Sequence, residues 1–204
     1  MKLFYQLEKF GNKHKKYKKT QAKSFVKAFQ YNLYTSLSAL SSSTTDIYNA
    51  TQALQYNSYS ICFLSGGGGN TLNTVYSAFS GSSWMKNNNV GIVVGSGNTG
   101  VTSTDYKLGT PITYGITSGL LESNSHTFTP VVISAPSASF TVNRIFRNSS
   151  GGNVTINEIG LYGFMNSSSR DFAEFCIVRD VLGVPVTMAN GDYLKVTYTF
   201  QITA

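Results

Sequence analysis

A glycine-rich stretch is the most suggestive chemical motif in this chain. Gly95-Ser96-Gly97-Asn98-Thr99-Gly100 follows a predicted strand and matches the spacing of the dinucleotide-binding fingerprint. That fingerprint requires a helix to begin at its third glycine, so that the helix amides meet the pyrophosphate. Residues 101–105, Val-Thr-Ser-Thr-Asp, and Pro111 beyond them do not favour a helix. We therefore interpret the stretch as a turn and expect no nucleotide cofactor.

Side chains that could act as nucleophiles, general bases or metal ligands are few. His14 lies in a lysine run and His126 in a polar passage, away from any nucleophile signature, so both are predicted to be surface residues. Cys62 and Cys176 lie inside apolar runs and are predicted to be buried, reduced thiols. Two histidines and two separated cysteines do not form a zinc site of known spacing.

Carboxylates could still form a catalytic acid and base pair, because such pairs meet in space rather than in sequence. The candidates beyond residue 57 are Asp105, Glu122, Glu158, Asp171, Glu174, Asp180 and Asp192. No spacing among them indicates a pair. We therefore predict no enzymatic activity, no cofactor and no small-molecule substrate. An enzyme acting on cell-surface polymers is the least supported alternative.

The positive charge is concentrated at the N-terminus. Residues 1–27 hold nine lysines and one glutamate, whereas residues 28–204 hold seven basic and eight acidic residues. A run of like charge with little to bury predicts a basic, extended arm over residues 1–20 that orders on an acidic partner. The candidate partner-binding residues are Lys13, Lys15, Lys16, Lys18 and Lys19. A solvated tail and a contact with nucleic acid phosphates remain open alternatives.

One amphipathic helix is predicted behind the arm, within a helix and linker segment at residues 21–56. Apolar residues recur there at steps of three and four, with Thr20 as the N-cap and residues 41–43 as the end. The predicted docking face of this helix consists of Phe25, Val26, Phe29, Leu33 and Leu37.

Residues 57–204 change to short apolar runs and period-two alternation, separated by Gly, Asn and Ser clusters. Strands are predicted at residues 59–64, 90–94, 139–147, 153–162, 172–181, 184–188 and 193–203. We expect the third and fourth to form a hairpin, and the last two to form another. In the final strand Leu194, Val196, Tyr198, Phe200 and Ile202 alternate with polar residues. The pattern predicts a mainly β chain, an antiparallel, jelly-roll-like β-sandwich preceded by the arm and the helix.

No secretory signal or membrane span is recognisable in the sequence. The first residues lack the apolar core of a signal peptide, and no segment approaches about 18 uninterrupted apolar residues. We therefore expect synthesis in a cytoplasm and no membrane contact.

Four segments carry a resemblance to known proteins. They are Gly-Ile-Val-Val-Gly-Ser-Gly at 91–97, Asp-Tyr-Lys-Leu-Gly-Thr-Pro-Ile at 105–112, Asn-Glu-Ile-Gly-Leu-Tyr at 157–162, and residues 178–198. Together they resemble virion structural proteins of tailed bacteriophages and related viruses, over about residues 90–203. Lys23 to Phe29 is similar to a helix that often precedes such a module. The resemblance implies a β-sandwich assembly unit of capsid, neck or tail, located in the virion, with other virion proteins and copies of itself as partners.

Three charged residues lie in otherwise apolar predicted strands. Glu158, Arg179 and Asp180 are tolerated there only if they are paired and hydrogen-bonded. We predict that a Glu158–Arg179 contact, or a corner formed by Arg179 and Asp180, fixes strand register. The predicted role is structural rather than catalytic.

A receptor- or glycan-binding module is the alternative function. Its binding residues would lie in the polar connections at residues 65–89 and 98–130, with Trp84 as the aromatic candidate.

Overall fold

The structure is a computed structural model that describes residues 1–11, 13–22, 25–27, 29–31, 42–45, 48–54, 91–124, 126–165 and 173–203. These residues are mainly β, and every pairing between their strands is antiparallel. The predicted strand at 59–64, Cys62 and Trp84 lie outside the described residues. No helix within the described part of the chain is long and apolar enough to cross a membrane.

The larger sheet is built around the last strand of the chain. Strand β13 (Tyr193–Thr203) lies between β1 (Lys2–Phe10) and β10 (Ser137–Arg147). The predicted alternation holds for Leu194, Val196 and Tyr198, which are fully buried. It fails at Ile202, which is 61 % exposed because it lies near the end of the sheet, beyond the core.

Short strands cover both edges of this sheet. On one side β2 (Lys15–Lys16) and β3 (Thr20–Gln21) pair with β1. On the other side β7 (Glu122–Ser123), β8 (Thr127–Phe128) and β9 (Val132–Ser134) pair with β10. Short edge strands leave little main chain free to pair with another molecule.

The smaller sheet has β11 (Val154–Met165) between β12 (Ala173–Met188) and β6 (Gly91–Gly95). The predicted strand at 90–94 is confirmed as β6. The strands predicted at 172–181 and 184–188 are one continuous strand, β12. Pro185 is tolerated within it because β12 lies at the edge of its sheet, where a missing amide costs no ladder hydrogen bond. A separate two-stranded sheet joins β4 (Ser42–Thr45) and β5 (Thr51–Leu54).

Both predicted hairpins are wrong. β10 pairs with β13 and not with β11, and β12 pairs with β11 and not with β13. The connections 148–153 and 189–192 therefore carry the chain between sheets, and they bind each other through Asn148 N to Asp192 O (2.9 Å) and Gly191 N to Asn148 O (2.7 Å). Alternation identifies the buried face of a strand, but it does not identify the neighbouring strand.

The predicted extended arm is instead part of the larger sheet. β1 carries Leu3, Tyr5 and Leu7 on its buried face, and residues 15–21 return along it as a broken edge strand. The apolar alternation of residues 3–7 therefore outweighs the repulsion between the lysines, which stay in water. The first segment shares its sheet with residues 193–203, so the boundary predicted at residue 20 does not separate it from the C-terminal strands.

The start of the predicted helix also differs. Thr20 lies in β3 and pairs with Tyr5, so it is not an N-cap. Helical backbone is described only at Lys27 and residues 29–31, while 32–40 lie outside the described residues.

One buried hydrophobic cluster contains residues of both the larger and the smaller sheet. The larger sheet contributes Leu7, Phe146 and Val196, and the smaller sheet contributes Ile156 and Val186. A second, smaller cluster includes Cys176, which is a buried free thiol as predicted. Burial raises the pKa of this thiol, so it stays protonated at neutral pH.

Candidate functional site

The most highly organised polar site surrounds the carboxylate of Glu158 in β11. This side chain is fully buried. Its Oε1 accepts hydrogen bonds from the amides of Gly97 (3.1 Å) and Thr110 (2.8 Å). Its Oε2 accepts from the Gly109 amide (3.0 Å) and from Arg179 Nε (2.8 Å). These four donors, one of which is the positively charged Arg179, compensate for the loss of water around this carboxylate.

Arg179 of β12 connects this carboxylate to a second one. Besides Glu158, its guanidinium donates from Nη1 to Asp105 Oδ2 (2.7 Å) and from Nη2 to the carbonyl and hydroxyl oxygens of Thr99 (both 3.0 Å). The Arg179 side chain is only 3 % exposed. The predicted contact between Glu158 and Arg179 is therefore present, within a larger network that the sequence did not indicate.

Electrostatics favour the charged forms of this network. Burial opposes the charge on Arg179, but hydrogen bonds with Asp105 and Glu158 outweigh it and raise the arginine pKa above its usual value. Burial likewise opposes charge on Asp105, yet the Thr102 amide and the Arg179 guanidinium hold the pKa of that carboxyl below its ordinary value.

The glycines of the motif at 95–100 make room for this network. A Cβ at Gly95 would lie 2.6 Å from Glu158 Oε1, and one at Gly97 would lie 2.4 Å from the same atom. Both distances are shorter than any normal contact. The glycines thus allow the backbone to approach a carboxylate of the same chain, where the fingerprint would have placed a pyrophosphate.

The network lies beside an irregular stretch of the smaller sheet. Ile156 pairs with Val186, but Glu158, two residues on, pairs with Val181. Four residues of β12 are therefore unmatched at this point, and simple ladder pairing does not fix the register. The hydrogen bonds join β11, β12, and the loop after β6, which suits the predicted structural role of the pair.

Asp180 does not join this network in the way that the predicted corner requires. Neighbouring residues of a strand point to opposite faces, and the ion pairs of Arg179 are with Glu158 and Asp105. The pKa of both Tyr5 and Tyr198 is raised, mainly by burial and to a smaller extent by the negative charge of Asp180. Asp180 thus lies electrostatically close to the tyrosines of the larger sheet.

The lysines predicted to bind a partner lie on the edge formed by β2 and its flanking residues. We call this surface the lysine edge; all of its lysines are exposed, namely Lys13, Lys15, Lys16, Lys18 and Lys19. Two of them lie over aromatic rings, with Lys15 Nζ 4.7 Å from the Tyr17 centroid and Lys19 Nζ 4.8 Å from the Phe4 centroid. These contacts hold positive charge along the sheet edge instead of on a separate arm.

Part of the predicted helix docking face contacts the body of the protein. Val26 is fully buried and its amide donates to a β12 carbonyl (3.1 Å), while Phe25 forms an isolated bridge with β12. The rings of Phe25 and Phe29 lie 4.3 Å apart. Leu33 and Leu37 lie outside the described residues.

The two histidines differ from each other. His14 is exposed, as predicted, and its Nε2 lies 3.1 Å from Glu8 Oε1. His126 is partly buried, and its Nε2 accepts a hydrogen bond from the Ile92 amide at 2.8 Å. Arg144 Nη1 donates to the Ile92 carbonyl at 2.8 Å, and burial lowers the pKa of this arginine to about 10. The side chains of His126 and Arg144 thus provide hydrogen-bond partners for the amide and the carbonyl of Ile92, on the edge of β6 that faces away from β11.

An apolar groove is lined by residues of both the larger and the smaller sheet. It has a volume of about 500 Å³. Its walls come from both sheets and from the residues that flank them: Met1, Phe29, Val131, Ala138, Ser139, Phe140, Leu161, Ile177, Phe200 and Ile202.

No group of three or more His, Cys, Asp or Glu side chains that could hold a metal ion occurs among the described residues. Asp171 lies outside those residues. Comparisons of the chain with protein-family models, with curated proteins and with solved structures give no match.

Proposed function

We propose that this chain is a virion structural protein, either a capsid-associated component such as a decoration or minor capsid protein, or a neck or tail component. It would assemble with copies of itself and with other virion proteins. The resemblance of residues 90–203 motivates the proposal, and three features of the structure support it.

The first support is the architecture. We propose that the two larger sheets pack face to face as a β-sandwich of the jelly-roll-like type. The buried cluster shared by both sheets supports this packing, as do the connections that carry the chain from one sheet to the other. A charge-poor sandwich of this kind offers broad surfaces for contacts between subunits.

The second support, which carries the proposal, is a row of exposed apolar side chains at one end of the larger sheet, formed by Ile133, Ile202 and Met1. Ile133 of β9 and Ile202 of β13 both flank Ala138 of β10, and Met1 precedes the pairing of Lys2 with residue 201. Exposure is 81 % for Ile133, 61 % for Ile202 and 66 % for Met1. The row continues into the apolar groove. Contiguous exposed apolar surface of this kind marks an interaction surface.

The third support is the lysine edge. Five exposed lysines on one sheet edge favour contact with an acidic surface of a neighbouring subunit. Like charges also oppose pairing of this edge with the same edge of another copy. The lysine edge would therefore attach the chain to a different, acidic surface.

The oligomeric state of the purified full chain tests the proposed assembly. Sedimentation velocity should show concentration-dependent oligomers, and the double variant Ile133→Ser with Ile202→Ser should be monomeric. Val184→Ser changes a residue of the smaller sheet that is as exposed as Ile202 (61 %), and it should leave the oligomers unchanged. A strictly monomeric wild-type chain at all concentrations would contradict assembly through this row. An electron-microscopy map of the native particle, with density for this chain, tests the location in a virion.

A further inference from the structure

A second, polar cleft lies on the outer face of the larger sheet. It has a volume of about 270 Å³. Three neighbouring strands supply one wall, because Tyr193, Arg147 and Glu122 are consecutive Cα partners across β13, β10 and β7. The connection before β7 supplies Tyr114, and Asn124 follows β7. We call this the tyrosine cleft.

Two aromatic rings of the cleft are available to a ligand. Tyr114 is 39 % exposed and Tyr193 is 40 % exposed. The Arg147 guanidinium lies 5.7 Å from the centroid of the Tyr193 ring, which holds both groups in place. The electron-rich face of a tyrosine favours weakly positive C–H groups, and its hydroxyl favours polar ones. Such rings suit a ligand that is apolar on one face and polar at its rim.

Polar groups with spare hydrogen-bonding capacity surround these rings. Ser149 Oγ donates to Glu122 Oε2, and Arg147 Nη1 lies 3.8 Å from that same oxygen. Within the described part of the chain, no hydrogen bond engages Glu122 Oε1 or the Asn124 side-chain amide. The cleft thus offers a carboxylate that accepts hydrogen bonds, a guanidinium that donates them, and a side-chain amide that can donate and accept.

The paired charges of the cleft disfavour two classes of ligand. Glu122 and Arg147 lie side by side, so their charges cancel locally. A phosphate or carboxylate ligand would meet the Glu122 carboxylate, and a cationic ligand would meet the guanidinium. The remaining class is a neutral ligand whose hydroxyls both donate and accept. A cleft of this volume accommodates about one sugar ring, below the usual range for drug-sized ligands.

We propose that the tyrosine cleft binds one neutral sugar residue, with a ring face against tyrosine and vicinal hydroxyls between Glu122 and Arg147. The proposal rests on the cleft alone and does not depend on the proposed assembly function. The sugar could be free or could be the end of a longer glycan, and the shared chemistry is the hydroxylated ring.

Titration of the full chain with methyl glycosides of glucose, galactose, mannose and N-acetylglucosamine tests this binding, with NMR saturation transfer as the readout. At least one should bind, and Tyr193→Ala should weaken it by about ten-fold or more. Tyr48→Ala removes a tyrosine that is 52 % exposed and does not line the cleft, so it should leave binding unchanged. Thermal unfolding of each variant separates lost binding from lost folding.

A glycan array of the same protein distinguishes the two sources of the sugar. Signal on neutral glycans, lost in Tyr193→Ala, identifies a glycan end, whereas binding of methyl glycosides without array signal identifies a free sugar. Three results would overturn the proposal: no binding by any of the four glycosides or by the array, binding that survives both Tyr193→Ala and Tyr114→Ala, or tighter binding of inorganic phosphate than of every glycoside.

Discussion

Arg179 Nε lies 2.8 Å from Glu158 Oε2 on the neighbouring strand, and both side chains are almost completely removed from water. The same guanidinium also contacts Asp105, which lies in the loop that follows β6. One arginine therefore joins two strands and a loop at a point where the strand ladder is interrupted. The stability of the smaller sheet should depend on it.

Replacing Arg179 should destabilise the fold severely. Arg179→Leu leaves a fully buried carboxylate without its charged partner, and removing one member of a buried pair costs about 3–5 kcal/mol. Arg147→Leu is a matched control and should cost less than about 1 kcal/mol, because this arginine is 52 % exposed and its distance to the Glu122 carboxylate is as long as 3.8 Å. Urea unfolding measures both values. Equal losses in the two variants would contradict the structural role of Arg179.

Any side chain at position 97 should destabilise the fold for steric reasons. Gly97→Ala would place a methyl group 2.4 Å from Glu158 Oε1 and displace the carboxylate from its amide donors. We expect a loss of about 1–3 kcal/mol. Gly100→Ala, where no atom lies within 4 Å of the added Cβ, should change the unfolding free energy by less than about 0.5 kcal/mol. The order of the two thermal midpoints checks this, and a Gly97→Ala midpoint equal to that of Gly100→Ala would refute it.

Stability should fall in acid partly through Asp105. Its pKa is lower in the folded chain than in the unfolded chain, where the ordinary value of 3.8 applies. The unfolded chain therefore binds the proton first as the pH falls, and the contribution of this carboxylate is complete well above pH 3.8 and is lost below it. Asp105→Asn should be less stable than wild type at pH 7, and the gap should close as the pH falls from about 5 to 2. Thermal midpoints of both proteins across this range provide the measurement; a gap that is constant with pH would exclude this linkage.

Binding of the lysine edge to polyanions should depend strongly on salt. With a duplex DNA oligonucleotide as the probe, each lysine that neutralises a phosphate contributes about 0.9 to the slope of log K against log salt concentration. Changing Lys13, Lys15, Lys16, Lys18 and Lys19 to Gln should reduce that slope and the affinity together. Lys107→Gln with Lys195→Gln is the control. Binding of the wild type that is insensitive to salt would remove nucleic acid as an alternative partner of this edge and leave the acidic protein surface.

The existence of most strands was predictable, but their partners were not. Period-two alternation in Leu194, Val196 and Tyr198 reflects a sheet with one buried face, and the structure confirms it. The same signal was present in Leu3, Tyr5 and Leu7, but the lysines that follow them favoured an arm in the sequence interpretation. Which strands pair depends on contacts between distant segments, and the local turn signals at 148–153 and 189–192 occur equally in hairpins and in connections between sheets.

The polar network was predictable only in part. A buried Glu158 requires an opposite charge, and Arg179 was one of few candidates, so chemistry alone indicated the pair. The amide of Gly97 is 61 residues from Glu158, and its role becomes evident only when β6 and β11 lie side by side. The tyrosine cleft likewise brings together residues of three strands and one loop. One signal could have indicated the amide donors, namely a Gly-X-Gly sequence after a buried strand in a chain with a buried acid.

The pairing of β1 with β13 has a consequence for how this chain folds during translation. Strand β1 can pair early with the short strands β2 and β3, but its nine-residue ladder with β13 forms only after residues 193–203 have left the ribosome. Until the later strands are made, the buried cluster that holds Leu3, Tyr5 and Leu7 is incomplete, and these apolar side chains are exposed to water. Charged residues that flank an apolar strand limit aggregation of incompletely folded chains, and the lysines of residues 13–19 flank β1 in this way.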